Sequence, residues 1–136
     1  MRVVALLFAL TMFSSGAAAQ DMTGKCGSHP GLLRNEAGSL VWFSSSQLHS
    51  MALKQVMPEP VHIRGLIFEG VVKIKIMVNT GGDVVCMWDV KGHPLMLVNA
   101  VKAAHDWKFK PQIENRNATE FVGILELPVT ANGDGY

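Results

Sequence analysis

The spacing of hydrophobic residues predicts a hairpin in the middle of the chain. Apolar and polar residues alternate over residues 71–78, which predicts a strand with one buried face, formed by Val72, Ile74, Ile76 and Val78. Residues 79–83 carry two glycines and predict a turn, after which residues 84–90 return as a second, antiparallel strand. Trp88 and Asp89 break the alternation of that strand, which indicates a β-bulge.

The pattern then changes to a helical period. Pro94 suits a first helical position and predicts a helix over 94–105, with an apolar stripe of Leu97, Ala100, Val101 and Ala104. Trp107 and Phe109 alternate with lysines, so both rings are expected to point inward. Residues 121–129 predict a third strand, and Pro128 marks its end or an edge position.

The segment before the hairpin is less regular. Residues 20–38 predict an irregular arm, and residues 40–43 a short strand. The serines at 44–46 offer an N-cap for a short helix that runs through Leu48 to Val56, and Met57-Pro58-Glu59-Pro60 stops it. Residues 130–136 are expected to form a tail that is frayed from Asn132 onward.

The first 19 residues have the pattern of a cleaved secretory signal. Arg2 precedes an apolar run over 3–13, and Ala17-Ala18-Ala19 provides the small residues of a cleavage site. An uncleaved anchor is the alternative, but the run is shorter than the roughly 20 residues of a membrane-spanning helix. We therefore expect a mature chain that begins at Gln20, has no membrane span and lies in the periplasm, with an extension over 20–55 and one main domain over 56–129.

Composition and charge narrow the function classes. Of the 136 residues, 49% are hydrophobic and 17% charged, which fits a globular protein and excludes a largely disordered chain. The formal net charge is +1, and loss of Arg2 would leave a neutral chain without a dense basic cluster. Nucleic acid is therefore not an expected partner.

The expected export of the chain bears on the state of its two cysteines. Cys26 lies in the arm and Cys86 in the second hairpin strand, and an oxidising compartment would allow a disulfide between them. Two free thiols remain the alternative, because the sequence does not show whether the geometry permits the bond.

The sequence offers no coherent catalytic or metal-binding set, so we expect neither an enzyme nor a cofactor. The five histidines show no i, i+4 pair and no CxxC neighbour. His93, beside Pro94, is interpreted as a structural residue at a helix start. Cys86 lies in an apolar strand, which favours a disulfide or core packing over a nucleophile.

Several motifs and their order resemble the C-terminal domain of TonB-family energy transducers. The resemblance covers residues 56–129 and depends on four elements: Gly70-Val71-Val72, Gly92-His93-Pro94-Leu95, the alanines Ala100, Ala103 and Ala104, and Trp107, Phe109 and Pro111. It implies an α+β fold, in which a small antiparallel sheet packs on one main helix in β-β-α-β order. The chain departs from the family in its cleavable signal, in the lack of a Pro-rich spacer, and in Met57-Pro58-Glu59-Pro60, where the family often has proline and tyrosine.

The resemblance also implies a partner-binding strand. Family members add a short segment of an outer-membrane transporter to a sheet edge, and strand addition satisfies the unpaired backbone groups of such an edge. Carried over by position, the edge consists of Phe121, Val122, Gly123, Ile124, Leu125, Glu126 and Leu127. Two alternatives remain open: a structural module that forms homodimers through the same edge, and an envelope enzyme or enzyme inhibitor.

Overall fold

The computed structural model describes Cys26, His29 and residues 31–133. Two helices and eight strands follow one another along this part of the chain. In order they are β1 (Trp42–Phe43), α1 (Ser45–Met51), β2 (Ala52–Lys54), β3 (Ile67–Val78), β4 (Val84–Lys91), α2 (Leu97–His105), β5 (Lys108–Phe109), β6 (Gln112–Glu114), β7 (Asn117–Thr119) and β8 (Phe121–Asn132). The predicted signal sequence lies outside the described residues.

The main sheet has four strands in the order β1-β8-β3-β4. Strands β3 and β8 pair antiparallel over their whole length, from Ile67 opposite Asn132 to Val78 opposite Phe121. Strand β4 pairs antiparallel with β3, which confirms the predicted hairpin, and β1 pairs parallel with β8. The β3, β4, α2 and β8 elements therefore follow in β-β-α-β order, and the fold is α+β as expected.

The hairpin turn is held by Asn79. Its side-chain oxygen accepts hydrogen bonds from the backbone N–H groups of Gly81 and Asp83, at 3.0 and 2.9 Å. Gly82 adopts a φ of +86°, a conformation that glycine takes at little cost. Its carbonyl oxygen accepts a hydrogen bond of 2.9 Å from the Phe109 N–H, so the turn also contacts β5.

The core lies between the sheet and α2. His93 caps a 3-10 turn over Pro94–Met96 through its Nδ1, which accepts from the Leu95 N–H at 3.3 Å, and α2 continues from this turn. Three small residues, Ala100, Ala103 and Ala104, are buried on the inner face of α2, so the helix axis can approach the sheet. The sheet contributes the alternating apolar positions of its long strands, including Val72, Ile74, Ile76, Val78, Phe121, Leu125 and Leu127.

The two aromatic residues after α2 complete this core. Trp107 and Phe109 are 0% and 1% exposed, while Lys108 and Lys110 lie in solvent, which confirms the predicted alternation. The Trp107 indole N–H donates to the Val56 carbonyl at 2.7 Å. This bond ties the irregular segment between β2 and β3 to the core.

Strand β4 is interrupted by two bulges. The register with β3 shifts between Lys73 and Lys75 and again between Met77 and Val78. At the first shift Asp89 has a φ of +49°, which confirms the predicted bulge beside Trp88. The second bulge lies near Val85 and was not predicted.

Several boundaries differ from the prediction. Ser44 caps α1 reciprocally with Gln47, but the helix ends at Met51 and does not reach Val56, because Ala52 turns into the extended strand β2 and pairs with Phe109. Strand β8 continues to Asn132, since pairing with the early start of β3 orders residues that were expected to lie in the tail. The short strands β2, β5, β6 and β7 were not predicted.

Candidate partner-binding edge

The strand predicted to form the sheet edge lies one position inside it. Residues 121–127 belong to β8, which has β3 on one side and the two-residue strand β1 on the other, so the predicted edge is covered at Val122 and Gly123. The parallel pairing places Trp42 opposite Val122 and Phe43 opposite Gly123. The extension that precedes the main domain in sequence therefore covers the start of β8.

The side of β8 that points away from β3 is here called the β8 edge, and its backbone groups come from the even-numbered residues. The backbone carbonyl of Glu120 accepts a hydrogen bond from the Leu33 N–H at 2.8 Å, and the Glu126 N–H donates to the Ser45 hydroxyl at 3.0 Å. Near the other end, the Thr130 carbonyl accepts from the Val61 N–H at 2.9 Å. Extended or capping segments of the chain itself thus hold both ends of the β8 edge.

Pro128 fits this arrangement. It lies in the same alternation as Glu126 and Thr130, so its nitrogen points toward the β8 edge and not into the ladder with β3. A proline there removes no hydrogen bond from the sheet, but it also offers no donor to a further strand. The stretch of the edge suited to strand pairing therefore ends before Pro128.

Strand β1 anchors itself with two aromatic side chains that point to opposite faces of the sheet. The Phe43 ring packs edge-on against Phe121 on the core face, with ring centres 5.3 Å apart. The Trp42 ring lies on the other face, 5.9 Å from Trp88, and stays 40% exposed. The Lys75 ammonium lies 5.6 Å from the centre of the Trp42 ring, within the range of a cation–π contact.

The face that carries Trp42 and Trp88 is here called the open face, and its charges are paired. Lys75 forms a 2.9 Å ion pair with Asp89, which Lys91 also approaches at 3.6 Å. The hydrogen bond from Lys75, helped by the charges of Lys75 and Lys91, holds the pKa of the Asp89 carboxyl below its usual value despite some desolvation. The bulge thus presents a carboxylate that stays ionised beside the tryptophan pair.

The arm before β1 is fastened to one end of this face. Cys26 and Cys86 form a disulfide with 5.8 Å between their Cα atoms, as the sequence allowed. His29 Nδ1 lies 3.2 Å from a carboxylate oxygen of Glu120. Leu32 packs in a small cluster with Met77 and Val122, separate from the main core. These contacts close the part of the open face next to β1.

The opposite margin of the sheet is a less regular surface. The outer side of β4 has no strand partner within the main sheet as described. Its bulges near Val85 and Asp89 interrupt the spacing of backbone groups that an added strand would need. Bulges of this kind discourage edge-to-edge pairing.

No group of three or more His, Cys, Asp or Glu side chains within Cys26, His29 and 31–133 could hold a metal ion. A groove of about 120 Å³ lies between α2 and residues 56–59, and a more open apolar concavity of about 410 Å³ is lined by Val90 and by Leu97, Val98 and Val101 of α2. No helix in the described part of the chain is long and apolar enough to cross a membrane.

Sequence reasoning missed the role of β1 in this site. Leu40 to Phe43 predicted a short strand, but nothing in its pattern specified β8 as its neighbour or parallel as its direction. A useful signal was present in Gly123, the one glycine of β8. A Cβ at this position would lie 3.0 Å from the Phe43 carbonyl oxygen and 2.9 Å from Leu48. Glycine in a strand often marks such a close approach.

Comparisons with protein-family models, curated proteins and solved structures gave no match to this chain.

Proposed function

We propose that this chain is an exported module of the bacterial envelope, with a core like that of the TonB C-terminal domain, and that it binds an extended segment of a partner protein at the β8 edge. The proposal assigns no catalytic role. Transport across the outer membrane is the process to which the resemblance connects it.

One observation carries the proposal: the β8 edge already accepts an extended segment, β1, in regular parallel register. Backbone hydrogen bonds hold two strands together in such an arrangement, so a segment of another protein whose side chains fit can pair with the same residues of β8. Gly123 leaves the space that a close backbone approach requires. The β-β-α-β order of the main domain and the Cys26–Cys86 disulfide support the resemblance and the export, respectively.

The test is a titration of the exported, ¹⁵N-labelled protein, with its disulfide intact, with a peptide copied from the TonB-box segment of an outer-membrane transporter. Shifts of backbone amide signals should concentrate in residues 121–127 and in their β3 neighbours. A scrambled peptide of the same composition is the control. A well-folded protein whose spectrum stays unchanged at millimolar peptide would count against binding at this edge.

Self-association is the second candidate function, because within residues 31–133 the outer edge of β4 has no strand partner in the main sheet. Light scattering over a hundredfold range of concentration separates the two. A stable dimer would favour the structural module, whereas a monomer at all concentrations favours partner binding. The two bulges of β4 make the monomer our expected result.

A further inference from the structure

Strand β1 shows what kind of segment fits the β8 edge. Its two consecutive residues point to opposite faces, as in any strand. The first, Trp42, contacts Trp88 and Lys75 on the open face, and the second, Phe43, contacts Phe121 on the core face. The site therefore has two apolar positions, one partly exposed and one next to the core.

The occupant of this site is short, since β1 pairs with β8 at two positions, Trp42 with Val122 and Phe43 with Gly123. β1 consists of two residues, and its tryptophan remains 40% exposed. The segment before it is held by the disulfide at Cys86, by the His29–Glu120 contact and by Leu32. Backbone hydrogen bonds from the Leu33 N–H to the Glu120 carbonyl and from the Val41 N–H to the Leu33 carbonyl also hold it, at 2.8 and 3.0 Å. Short elements with little buried apolar surface open more readily than the core strands of the same protein.

We propose that β1 is an internal competitor for the β8 edge, and that it gives way to a partner segment that runs parallel to β8 and carries bulky apolar side chains at two consecutive positions. This inference rests on the proposed function, because it concerns the regulation and specificity of the same site. An aromatic first residue in the partner would regain the contacts of Trp42 with Trp88 and Lys75.

The competition has a measurable consequence. A ligand that binds only when β1 has moved shows an affinity reduced by the fraction of molecules in that open state. Weakening β1 raises that fraction and so tightens the observed binding, without any change in the β8 edge itself. Reduction of the Cys26–Cys86 disulfide should act in the same direction, because it frees the arm that precedes β1.

The probe is a heptapeptide with the sequence of residues 39–45, Ser-Leu-Val-Trp-Phe-Ser-Ser, with blocked ends. Calorimetry measures its affinity for the wild-type protein, for Trp42→Ala and for Leu53→Ala. Leu53 is a matched control, since it is an apolar residue, 65% exposed, that lies in β2 away from the β8 edge. We expect Trp42→Ala to bind the peptide at least tenfold more tightly than the wild type, and Leu53→Ala to bind it as the wild type does.

Three further measurements complete the test. A peptide with alanines in place of its tryptophan and phenylalanine should bind at least tenfold more weakly. Amide shifts should centre on residues 122–126 and on the surroundings of Trp88 and Lys75, which the incoming aromatic ring contacts, and not on α2. If Trp42→Ala proves unfolded, the reduced wild-type protein replaces it, and it should bind the peptide more tightly than the oxidised protein.

Equal affinity of the wild-type protein and the weakened one would overturn the competition, and so would shifts away from β8. The transporter peptide separates this failure from that of the proposed function. If that peptide binds β8 equally well in wild type and Trp42→Ala, strand addition stands and the internal competitor is excluded. If neither peptide binds any of the proteins, both proposals fail.

Discussion

Opening the Cys26–Cys86 disulfide should cost the protein a large part of its stability. The two cysteines are 60 residues apart in the sequence, so the bond closes a long loop in the unfolded chain. The loop-closure relation gives about 4 kcal/mol for a loop of this length at 25 °C. The total free energy of unfolding of a domain of this size is about 5–15 kcal/mol, so reduction should remove a large fraction of it.

The assay is urea unfolding followed by far-UV circular dichroism, with the oxidised and the reduced protein side by side. The midpoint should fall on reduction, and the slope of the free energy against urea should rise, because the reduced unfolded chain is less compact. In a thermal scan, about 4 kcal/mol corresponds to a decrease in Tm on the order of 15 °C or more. The double variant Cys26→Ala/Cys86→Ala is the control, and reductant should leave its unfolding unchanged.

A difference below about 0.5 kcal/mol between oxidised and reduced protein would refute this reasoning, since surface changes of no consequence fall in that range. It would mean that the bond does not constrain the unfolded chain as a 60-residue loop should.

Three smaller predictions concern turns and charge. Gly82→Ala should destabilise the protein by about 2–4 kcal/mol, because a Cβ there would lie 2.0 Å from a backbone carbonyl oxygen and the φ is +86°. The control is Gly81→Ala, whose Cβ would lie 3.4 Å from its nearest neighbour atom, and it should leave the unfolding free energy in the same urea assay nearly unchanged. Arg116→Gly should raise the unfolding free energy by about 0.5–1 kcal/mol, because Arg116 adopts a φ of +67° in the turn between β6 and β7; a loss of stability would contradict this. In an NMR titration, the pKa of the Asp89 carboxyl should lie below its usual value, and Lys75→Met should raise it. Because the pKa of Asp89 is lower in the folded than in the unfolded chain, the Lys75–Asp89 ion pair stabilises the fold at pH values above the unfolded pKa. This stabilisation is lost as the pH falls through the folded pKa. If the pKa of Asp89 is the same in Lys75→Met as in the wild type, the ion pair is excluded as the cause of the low pKa.

The parts of the fold that the sequence predicted well are those with a strong local pattern. Alternation fixed which face of β3 is buried, Pro94 and the alanine stripe located α2, and the break at Trp88 and Asp89 located a bulge. Each of these depends on residues close together in the chain. The short strands β2 and β5 depend on a partner more than fifty residues away, and segments of two or three residues carry too little pattern to reveal it.

The candidate site was harder to predict for the same reason. The alternation over residues 121–129 predicted a strand, which β8 contains, but it could not indicate that the preceding extension lies against that strand. That extension falls outside the residues that carry the resemblance. Its attachment depends on pairings across long sequence distances, such as Trp42 with Val122 and Cys26 with Cys86, which local patterns do not encode.

The three tryptophans lie in different surroundings, and this gives the protein an optical reporter of its own. Trp107 is 0% exposed and donates its indole N–H to a backbone carbonyl, whereas Trp42 is 40% exposed beside Trp88. Iodide should therefore quench the emission of Trp42 strongly and that of Trp107 hardly at all, and its effect on Trp88 should depend on whether Trp42 covers it. Movement of β1 can then be followed by the fluorescence of Trp42, without an added label, and can be distinguished from unfolding of the core.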